Sequence, residues 1–284
     1  MRPMADDRQP LRRRELEAVE IDLFAEGIHE AYGFDFRRYS RPSFRRRVWR
    51  RVEAEGLTSI TGLLERVLHD PAAMQRLLSD LSVNVSAMFR DPGFFRVFRA
   101  KVVPHLRTYP FLRVWNAGCA TGEETFSVAI LLKEAGLYDR TRIYATDMND
   151  AILDQARSRS YPIAKMREYT ANYIQAGGTR SFSEYYAADG DRVVFQPSLA
   201  ENIVFAQHNL VTDRSFNEFH VIMCRNVMIY FDRELQEHVH KLLYDSLTPF
   251  GVLGLGGRES LELSGHRDAY EAMDDTERLY RKVA

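Results

Sequence analysis

Apolar residues recur at helical spacing in the first third of the chain. Pro42 is followed by Phe44, Val48 and Val52, which are four residues apart. Residues four apart lie on one face of a helix, so this spacing predicts a helix with one buried face. Proline at the first helical position agrees with this prediction, because the first N–H groups of a helix have no partner within it.

Two more helix starts follow in the same region. Asp70-Pro71 and Asp91-Pro92 each combine a capping residue with a proline, which is typical of the beginning of a helix. The sequence therefore predicts an all-helical N-terminal domain with its linker over residues 21–108. Before it, residues 1–20 are polar, and we expect them to be disordered.

Beyond residue 108 the pattern changes to apolar strands that alternate with helices. Strands are predicted at 111–116, 142–147, 203–207, 219–224, 251–257 and 277–283, and helices at 122–135, 150–159 and 233–247. This alternation is typical of an α/β fold with a doubly wound, parallel sheet, here over residues 109–284. Residues 160–202 interrupt it. Their Asp189-Gly190 turn predicts a small inserted β-subdomain of antiparallel strands.

Small and acidic residues follow two of these strands. Gly118 and Gly122 lie in the turn after the first strand, where the missing Cβ lets the backbone approach a ligand. Asp147 ends the next strand, at a position where an acidic residue binds ribose hydroxyls. Because ligands bind at the carboxyl ends of parallel strands, the sequence predicts a nucleotide-like cofactor at this edge of the sheet.

The acidic pair Glu123-Glu124 opens the following helix. It would repel a pyrophosphate, and the third glycine of a dinucleotide motif is missing. S-adenosylmethionine carries a ribose and a positive sulfonium, so it suits this pocket better. The alternative is that the two glutamates only complement the helix dipole. Farther along, Asn209 and Leu210 would contact the edge and face of an adenine, although Asn209 is also an ordinary turn residue.

Several motifs together resemble the chemotaxis-receptor methyltransferases of the CheR family. They are Gly118-Cys119-Ala120-Thr121-Gly122-Glu123-Glu124, Ala145-Thr146-Asp147, His208-Asn209-Leu210 and, most specifically, Cys224-Arg225-Asn226-Val227-Met228-Ile229-Tyr230-Phe231-Asp232. The segment 84–91 stands where that family has Asn-Glu-Thr-x-Phe-Phe-Arg-Asp, with Val85, Ser86 and Met88 as departures. Another departure is 256–260, where Gly-His-Ser-Glu is usual. The resemblance covers about 22–283 and implies a class I, Rossmann-like methyltransferase fold.

The resemblance also implies a set of site residues. The cofactor-binding residues would be Asn84, Ser86, Arg90, Glu124, Asp147, Asn209, Leu210, Arg225 and Asn226, to which the turn after the first strand adds Gly118. Motif alignment selects Glu124 over Glu123. Arg90 and Tyr230 would face the transferred methyl group as catalytic residues. Tyr230 is otherwise a strand-end aromatic with a structural role.

Members of the family methylate glutamate side chains of receptors. A glutamate carboxylate is ionised near pH 7, so methyl transfer to it needs no strong base, and the enzyme mainly aligns the reactants. Arg90 would hold the incoming carboxylate by two charge-assisted hydrogen bonds, and Tyr230 would fix the donor or the acceptor oxygen. Two other functions stay open: methylation of a small molecule or RNA, and non-catalytic sensing of S-adenosylmethionine or S-adenosylhomocysteine.

Charge is concentrated in one place, although the formal net charge of the 284 residues is only −1. Residues 37–51 contain eight arginines and no acid. With Phe44, Val48 and Val52 turned inward, these arginines would cover the outer face of one helix. By charge complementarity they would bind the glutamate-rich cytoplasmic helices of chemoreceptors, with Arg45, Arg46 and Arg50 as substrate-binding residues. The alternatives are RNA binding and a solvated face.

Composition narrows the class of protein further. The net charge gives no bulk attraction to nucleic acid or to a membrane, and no apolar run has the length of a membrane span. Cys119 and Cys224 form no CxxC motif, which favours free thiols in a reducing cytoplasm. His238 and His240 are two residues apart on a predicted helix and face different sides, so we assign no metal site. We expect a cytoplasmic monomer.

Overall fold

The computed structural model describes residues 13–82, 86–262 and 264–283. The chain divides between Leu81 and Ser82 into two compact units, whereas the sequence placed the domain boundary at residue 108. The first helix begins at Arg13, so the last residues of the predicted polar segment 1–20 are helical.

The described part of the first unit consists of four helices. They are α1 (Arg13–Tyr32), α2 (Arg41–Ala54), α3 (Ile60–His69) and α4 (Pro71–Leu81). The predicted apolar face of α2 is confirmed, since Phe44, Val48 and Val52 are buried. The predicted start of α4 is also confirmed, because the Asp70 Oδ1 accepts the N–H of Ala72 at 2.9 Å.

The second unit alternates helices and strands. Its helices are α5 (Pro92–Val97), a π-helical turn (Phe98–Val102) that leads into α6 (Val103–Leu106), α7 (Glu123–Glu134), α8 (Asp150–Ser158), α9 (Met166–Gln175) and α10 (Arg233–Ser246). Its strands are β1 (Leu112–Ala117), β2 (Thr141–Asp147), β3 (Ser160–Pro162), β4 (Tyr186–Asp189), β5 (Arg192–Phe195), β6 (Ile203–Gln207), β7 (Phe219–Cys224), β8 (Leu247–Leu255), β9 (Tyr270–Asp274) and β10 (Leu279–Lys282).

The main sheet has the order β6-β2-β1-β7-β8-β10-β9. Strands β6, β2, β1, β7 and β8 are parallel, β10 pairs antiparallel with β8, and β9 pairs antiparallel with β10. The chain moves from β1 outward to β2 and later returns to β7 on the other side of β1. Strand order therefore reverses between β1 and β7, where open α/β sheets form a ligand crevice. The predicted α/β fold is confirmed.

The insertion between β3 and β6 forms a second sheet, with the antiparallel order β3-β5-β4. The predicted hairpin is confirmed: Asp189 pairs with Arg192, and Gly190 between them has φ +60°. Helix α9 in the insertion was not predicted. Tyr161 and Tyr169 are buried in the same apolar cluster as Phe126 of α7, so the insertion shares the core of the second unit.

The structure also bears on the two cysteines and on the length of the apolar helices. Both cysteines, Cys119 and Cys224, are buried free thiols. Across the described ranges, no helix has the length and apolar character needed to cross a membrane.

Candidate active site

The loop after β1 approaches its neighbours too closely for side chains at two positions. Gly118 has φ +70° and Gly122 has φ +90°, conformations that favour glycine. A Cβ at Gly118 would lie 2.5 Å from the Val227 Cγ2, and one at Gly122 would lie 3.0 Å from the Cβ of Ala156. Gly118 therefore brings this loop into contact with the turn that follows β7.

Asp147 joins the ends of β1 and β2 through its carboxylate. The Asp147 Oδ2 accepts the N–H of Ala120 at 3.0 Å, and its Oδ1 accepts the N–H of Asn149 at 3.1 Å. Burial raises the pKa of Asp147, while these backbone N–H groups act in the opposite direction. Each carboxylate oxygen has a second lone pair, so Asp147 keeps acceptor capacity for the hydroxyls of a ribose.

The first two residues of α7 have different surroundings. The Glu124 Oε1 accepts the amide of Asn116 at 2.8 Å, and its Oε2 accepts Arg225 at 2.6 Å. Glu123 is instead bonded to the hydroxyls of Thr121 and Tyr169, and burial raises its pKa. Glu124 thus lies beside the ends of β1 and β7, whereas Glu123 is directed toward the insertion.

Arg225 connects three segments of the second unit. Its side chain is 1% exposed and forms ion pairs with Glu124 at 2.6 Å and Asp91 at 2.9 Å. It also donates to the carbonyl oxygen of Arg90 at 3.3 Å, and its guanidinium lies 4.0 Å from the ring centre of Phe94. These contacts of the Arg225 guanidinium are made within the protein. Arg225 therefore shapes the pocket predicted to bind the cofactor by neutralising Glu124 and holding the segment that carries Arg90.

The segment before α5 is anchored to α7 and to α9. Asn84 lies outside the described residues, and Ser86 and Arg90 are half-buried. Phe89 donates its N–H to the Ser127 Oγ at 2.8 Å, and the carbonyl of Met88 accepts the Asn172 amide at 3.1 Å. These anchors fix the backbone on the N-terminal side of Arg90, and Arg225 holds the carbonyl of Arg90 itself.

Asn209 begins a turn next to Asp147. His208 donates its N–H to the carbonyl of Asp147 at 3.1 Å, and the Asn209 Oδ1 accepts the N–H of Val211 at 3.0 Å. The turn role considered for Asn209 is therefore present. Its amide Nδ2 has no hydrogen-bond partner among the described residues, which leaves both N–H donors of the amide for a ligand. Leu210 is 7% exposed.

The turn after β7 contains Asn226 and leads to Tyr230. Asn226 has φ +62°, and a short 3₁₀ helix over Met228–Tyr230 follows it. Glu259, a residue not predicted as part of the site, lies under this turn with its carboxylate buried. It belongs to the segment 256–260, which stands where the CheR-like motif Gly-His-Ser-Glu is usual, but that pattern alone does not indicate a contact with the turn.

The basic segment of the first unit is largely paired. Among the described residues, carboxylates bind at least four of its eight arginines, in the pairs Arg37–Asp35, Arg41–Asp22, Arg45–Glu17 and Arg51–Asp80. The expectation of uncompensated charge was therefore wrong for these four, including Arg45 among the predicted substrate-binding residues. Arg46 and Arg50 are exposed, one helical turn apart on α2, with no carboxylate partner among the described residues.

Comparisons with known proteins cover nearly the whole chain. Residues 84–279 match the family described as CheR methyltransferase, SAM binding domain, and residues 19–82 match CheR methyltransferase, all-alpha domain. The chain is 46% identical to the Pseudomonas putida protein named Cher3, over 93% of this chain and 97% of that protein. It is 29% identical to the chemotaxis protein methyltransferase of Listeria innocua (84% and 88% covered) and to that of Salmonella typhimurium (82% and 81% covered).

Proposed function

The chain belongs to the CheR methyltransferase family, and from this premise we propose that it methylates glutamate side chains of chemoreceptors. The observation that carries the proposal is the set of hydrogen bonds at the carboxyl ends of the strands. There the Asp147 carboxylate holds the loop after β1, and the chain that leads to Asn209 bonds to the carbonyl of Asp147. Glu124 lies in the first turn of α7, directly after this loop.

The residues at this edge fit S-adenosylmethionine. Asp147 has acceptor capacity for the ribose hydroxyls, and the Asn209 Nδ2 is a donor for the adenine edge, with Leu210 as an apolar neighbour. Glu124 supplies a carboxylate for the cationic end of the molecule, and Gly118 keeps the loop before α7 close to the turn after β7. In this assignment Ser86, Arg90 and Asn226 complete the cofactor pocket, together with Asn84. Arg225 holds Glu124 in place.

When bound, S-adenosylmethionine supplies an electrophilic methyl group on its sulfonium. A bond forms between a glutamate oxygen and the methyl carbon, and the carbon–sulfur bond breaks with its electron pair on sulfur. The acceptor is already ionised at neutral pH, so no proton has to be removed. Arg90 binds the incoming carboxylate, and the Tyr230 hydroxyl orients the reacting groups. Their contribution is alignment of the two reactants.

The receptor surface that matches this chemistry is a cytoplasmic helix rich in glutamate. Arg46 and Arg50 present two positive charges one turn apart on α2, and an acidic helix presents carboxylates at the same spacing. Arg45 lies beside them but is shared with Glu17. We place the reaction in the cytoplasm, where that part of a receptor lies.

Incubation with S-adenosylmethionine labelled in the methyl group and with receptor-bearing membranes tests this function. Glutamyl esters release labelled methanol in base, so base-labile label on the receptor is the expected result. Base-stable label would indicate another acceptor, and cofactor binding without transfer would indicate a sensor. Either outcome contradicts the proposal.

Two substitutions test the catalytic assignment within the same assay. Arg90→Ala and Tyr230→Phe should each lower kcat about 100-fold, with a smaller effect on cofactor affinity measured by calorimetry. Loss of cofactor binding that accounts for all of the lost turnover would remove the catalytic role from that residue. Arg142→Ala is the matched control, because Arg142 is an exposed arginine near the start of β2, at the opposite end of the strand from Asp147.

A further inference from the structure

One buried carboxylate binds three successive residues of the turn after β7. The Glu259 Oε2 accepts the N–H groups of Asn226 at 2.9 Å and Gly256 at 2.6 Å. Its Oε1 accepts those of Val227 and Met228, both at 2.8 Å. Glu259 is 5% exposed, so these four backbone donors are its immediate surroundings.

The conformation of the turn explains why such a partner is needed. Asn226 has φ +62°, in the left-handed region that is unfavourable for a residue with a Cβ. The N–H groups of three successive residues then converge on one point, an arrangement that binds anions. Here the anion is a side chain of the same protein, and it offsets the strain of the turn.

The neighbouring strand brings Glu259 to this point. Strands β7 and β8 are parallel, with Cys224 opposite Leu255, so the segments that follow them leave the sheet side by side. A Cβ at Gly256 would lie 2.7 Å from the N of Asn226 and 2.8 Å from the Glu259 Oε2. Only glycine permits this approach, and it ties the position of the carboxylate to the position of the turn.

We propose that Glu259 is a positioning residue for methyl transfer, which sets the placement of Asn226 and Tyr230 without touching either reactant. This inference rests on the function proposed above. Arg225 anchors the beginning of the turn through Glu124 and Asp91, and Glu259 anchors the next three residues. Tyr230 ends the 3₁₀ helix that starts at Met228. A change in the anchored backbone is therefore passed directly to the Tyr230 side chain.

Glu259→Gln is the informative substitution, because its shape is almost unchanged. The amide keeps one acceptor oxygen but directs an NH₂ group at two backbone N–H donors, so two of the four hydrogen bonds are lost. We expect kcat to fall about 100-fold, because displacements near 1 Å have effects of that size. KM for the receptor should stay within about 2-fold, because the basic residues assigned to receptor binding are on α2. Glu262→Gln, an exposed neighbour, is the control and should keep wild-type kcat.

A second measurement tests the hydrogen bonds to Glu259 without an assay of methyl transfer. In NMR spectra of the labelled protein, the amide proton shifts of residues 226–228 should move upfield in Glu259→Gln, because hydrogen bonds to a carboxylate deshield these protons. Circular dichroism monitors the fold. If Glu259→Gln is unfolded, Gly256→Ala replaces it, since it displaces the same turn while the carboxylate remains.

The outcomes separate the two proposals. An active wild type with a folded but nearly inactive Glu259→Gln and unchanged receptor KM supports the positioning role. An active wild type whose folded variant keeps kcat within about 2-fold overturns this inference alone. A wild type that transfers no methyl group to the receptor overturns the proposed function and the positioning role with it.

Discussion

Arg225 is a buried cation between two carboxylates, and its removal should be costly. Arg225→Met would leave Glu124, which is 14% exposed, without its cationic partner, and would also free Asp91. Breaking a buried pair on one side typically costs about 3 kcal/mol. We expect the free energy of unfolding to fall by that amount in urea titrations, and cofactor affinity to fall because Glu124 is no longer held.

Arg281→Met provides the comparison. Arg281 pairs with Glu271, and both side chains are largely exposed, so the loss should be below about 1 kcal/mol. Equal losses in the two variants would contradict the view that burial makes the Arg225 pair important.

Replacing each of two buried glutamates of α7 by glutamine should change the stability of the fold in opposite directions. Burial raises the pKa of Glu123, so its ionised form disfavours the folded state above that pKa and the penalty disappears as pH falls. The hydroxyl of Tyr173 and the charge of Arg99 lower the pKa of Glu134 despite burial, so Glu134 stabilises the fold above its ordinary pKa. At pH 7, Glu123→Gln should be at least as stable as wild type, and Glu134→Gln less stable.

The Glu123 difference should shrink at pH 5, because its raised pKa lets the wild-type carboxyl become neutral like the amide. The Glu134 difference should persist at pH 5, because its pKa lies below the ordinary value of 4.5. Urea unfolding at pH 7 and pH 5, followed by the fluorescence of Trp115 in a Trp49→Phe background, measures them in the second unit. A Glu123→Gln variant that is clearly less stable than wild type at pH 7 would show that its ionised carboxylate is needed.

At the residue scale, sequence identifies the groups at strand ends better than their partners. Asp147 follows from its place at the end of a predicted strand, and Glu124 follows from motif alignment. The partners of Arg225 do not, because Asp91 is more than a hundred residues away in sequence. Asp91 was predicted as an ordinary cap of α5, but its side chain makes no capping hydrogen bond and binds Arg225 instead. Glu259 was missed for the same reason, since its four bonds form only when β7 and β8 pair.

At the scale of elements, alternating apolar segments were sufficient for most of the sheet. The predicted strands at 203–207 and 219–224 coincide with β6 and β7, because each is a continuous apolar run bounded by polar residues. Strand β9 was missed because Tyr-Glu-Ala-Met-Asp has too few apolar residues to indicate a strand, and it forms by antiparallel pairing with β10. Helix α9 was missed because residues 160–202 were predicted to form antiparallel strands.

Glu55 joins three helices of the first unit, and this predicts how that unit responds to acid. Its carboxylate accepts Arg76 at 2.7 Å, Arg66 at 3.1 Å and Arg51 at 3.3 Å. These guanidinium groups, Arg76 above all, lower the pKa of Glu55 from 4.5 to about 2. Its stabilising effect is therefore complete above pH 4.5 and is lost as pH falls toward 2.

Glu55→Gln should remove about 1 kcal/mol at pH 7 and make the stability of this unit less dependent on pH below 4.5. Fluorescence of Trp49 in a Trp115→Phe background isolates the first unit. Glu65→Gln is the control, since Glu65 is an exposed glutamate on α3. A variant that loses stability with acid as steeply as wild type would show that other carboxylates dominate.

For the whole molecule, the two units carry different kinds of candidate residue. The groups assigned to S-adenosylmethionine that the structure describes all belong to the second unit, from Ser86 to Asn226, while the exposed arginines Arg46 and Arg50 belong to the first. The sequence predicted this basic surface from composition but overestimated its charge, because carboxylates outside the segment pair with at least four of the arginines. Cofactor binding and recognition of an acidic partner should therefore be separable by mutation.

Arg46→Glu/Arg50→Glu tests this separation. Reversing both charges should raise KM for the receptor at least 10-fold, and the effect should weaken as salt is added, because exposed charges are screened. Cofactor affinity measured by calorimetry should stay within about 2-fold, since no cofactor residue is changed.

Arg142→Glu/Arg167→Glu reverses two exposed charges of the second unit and controls for net charge. If both double variants raise KM equally, the receptor responds to total charge rather than to α2; if cofactor affinity falls with the first pair, the division of roles between the units is wrong.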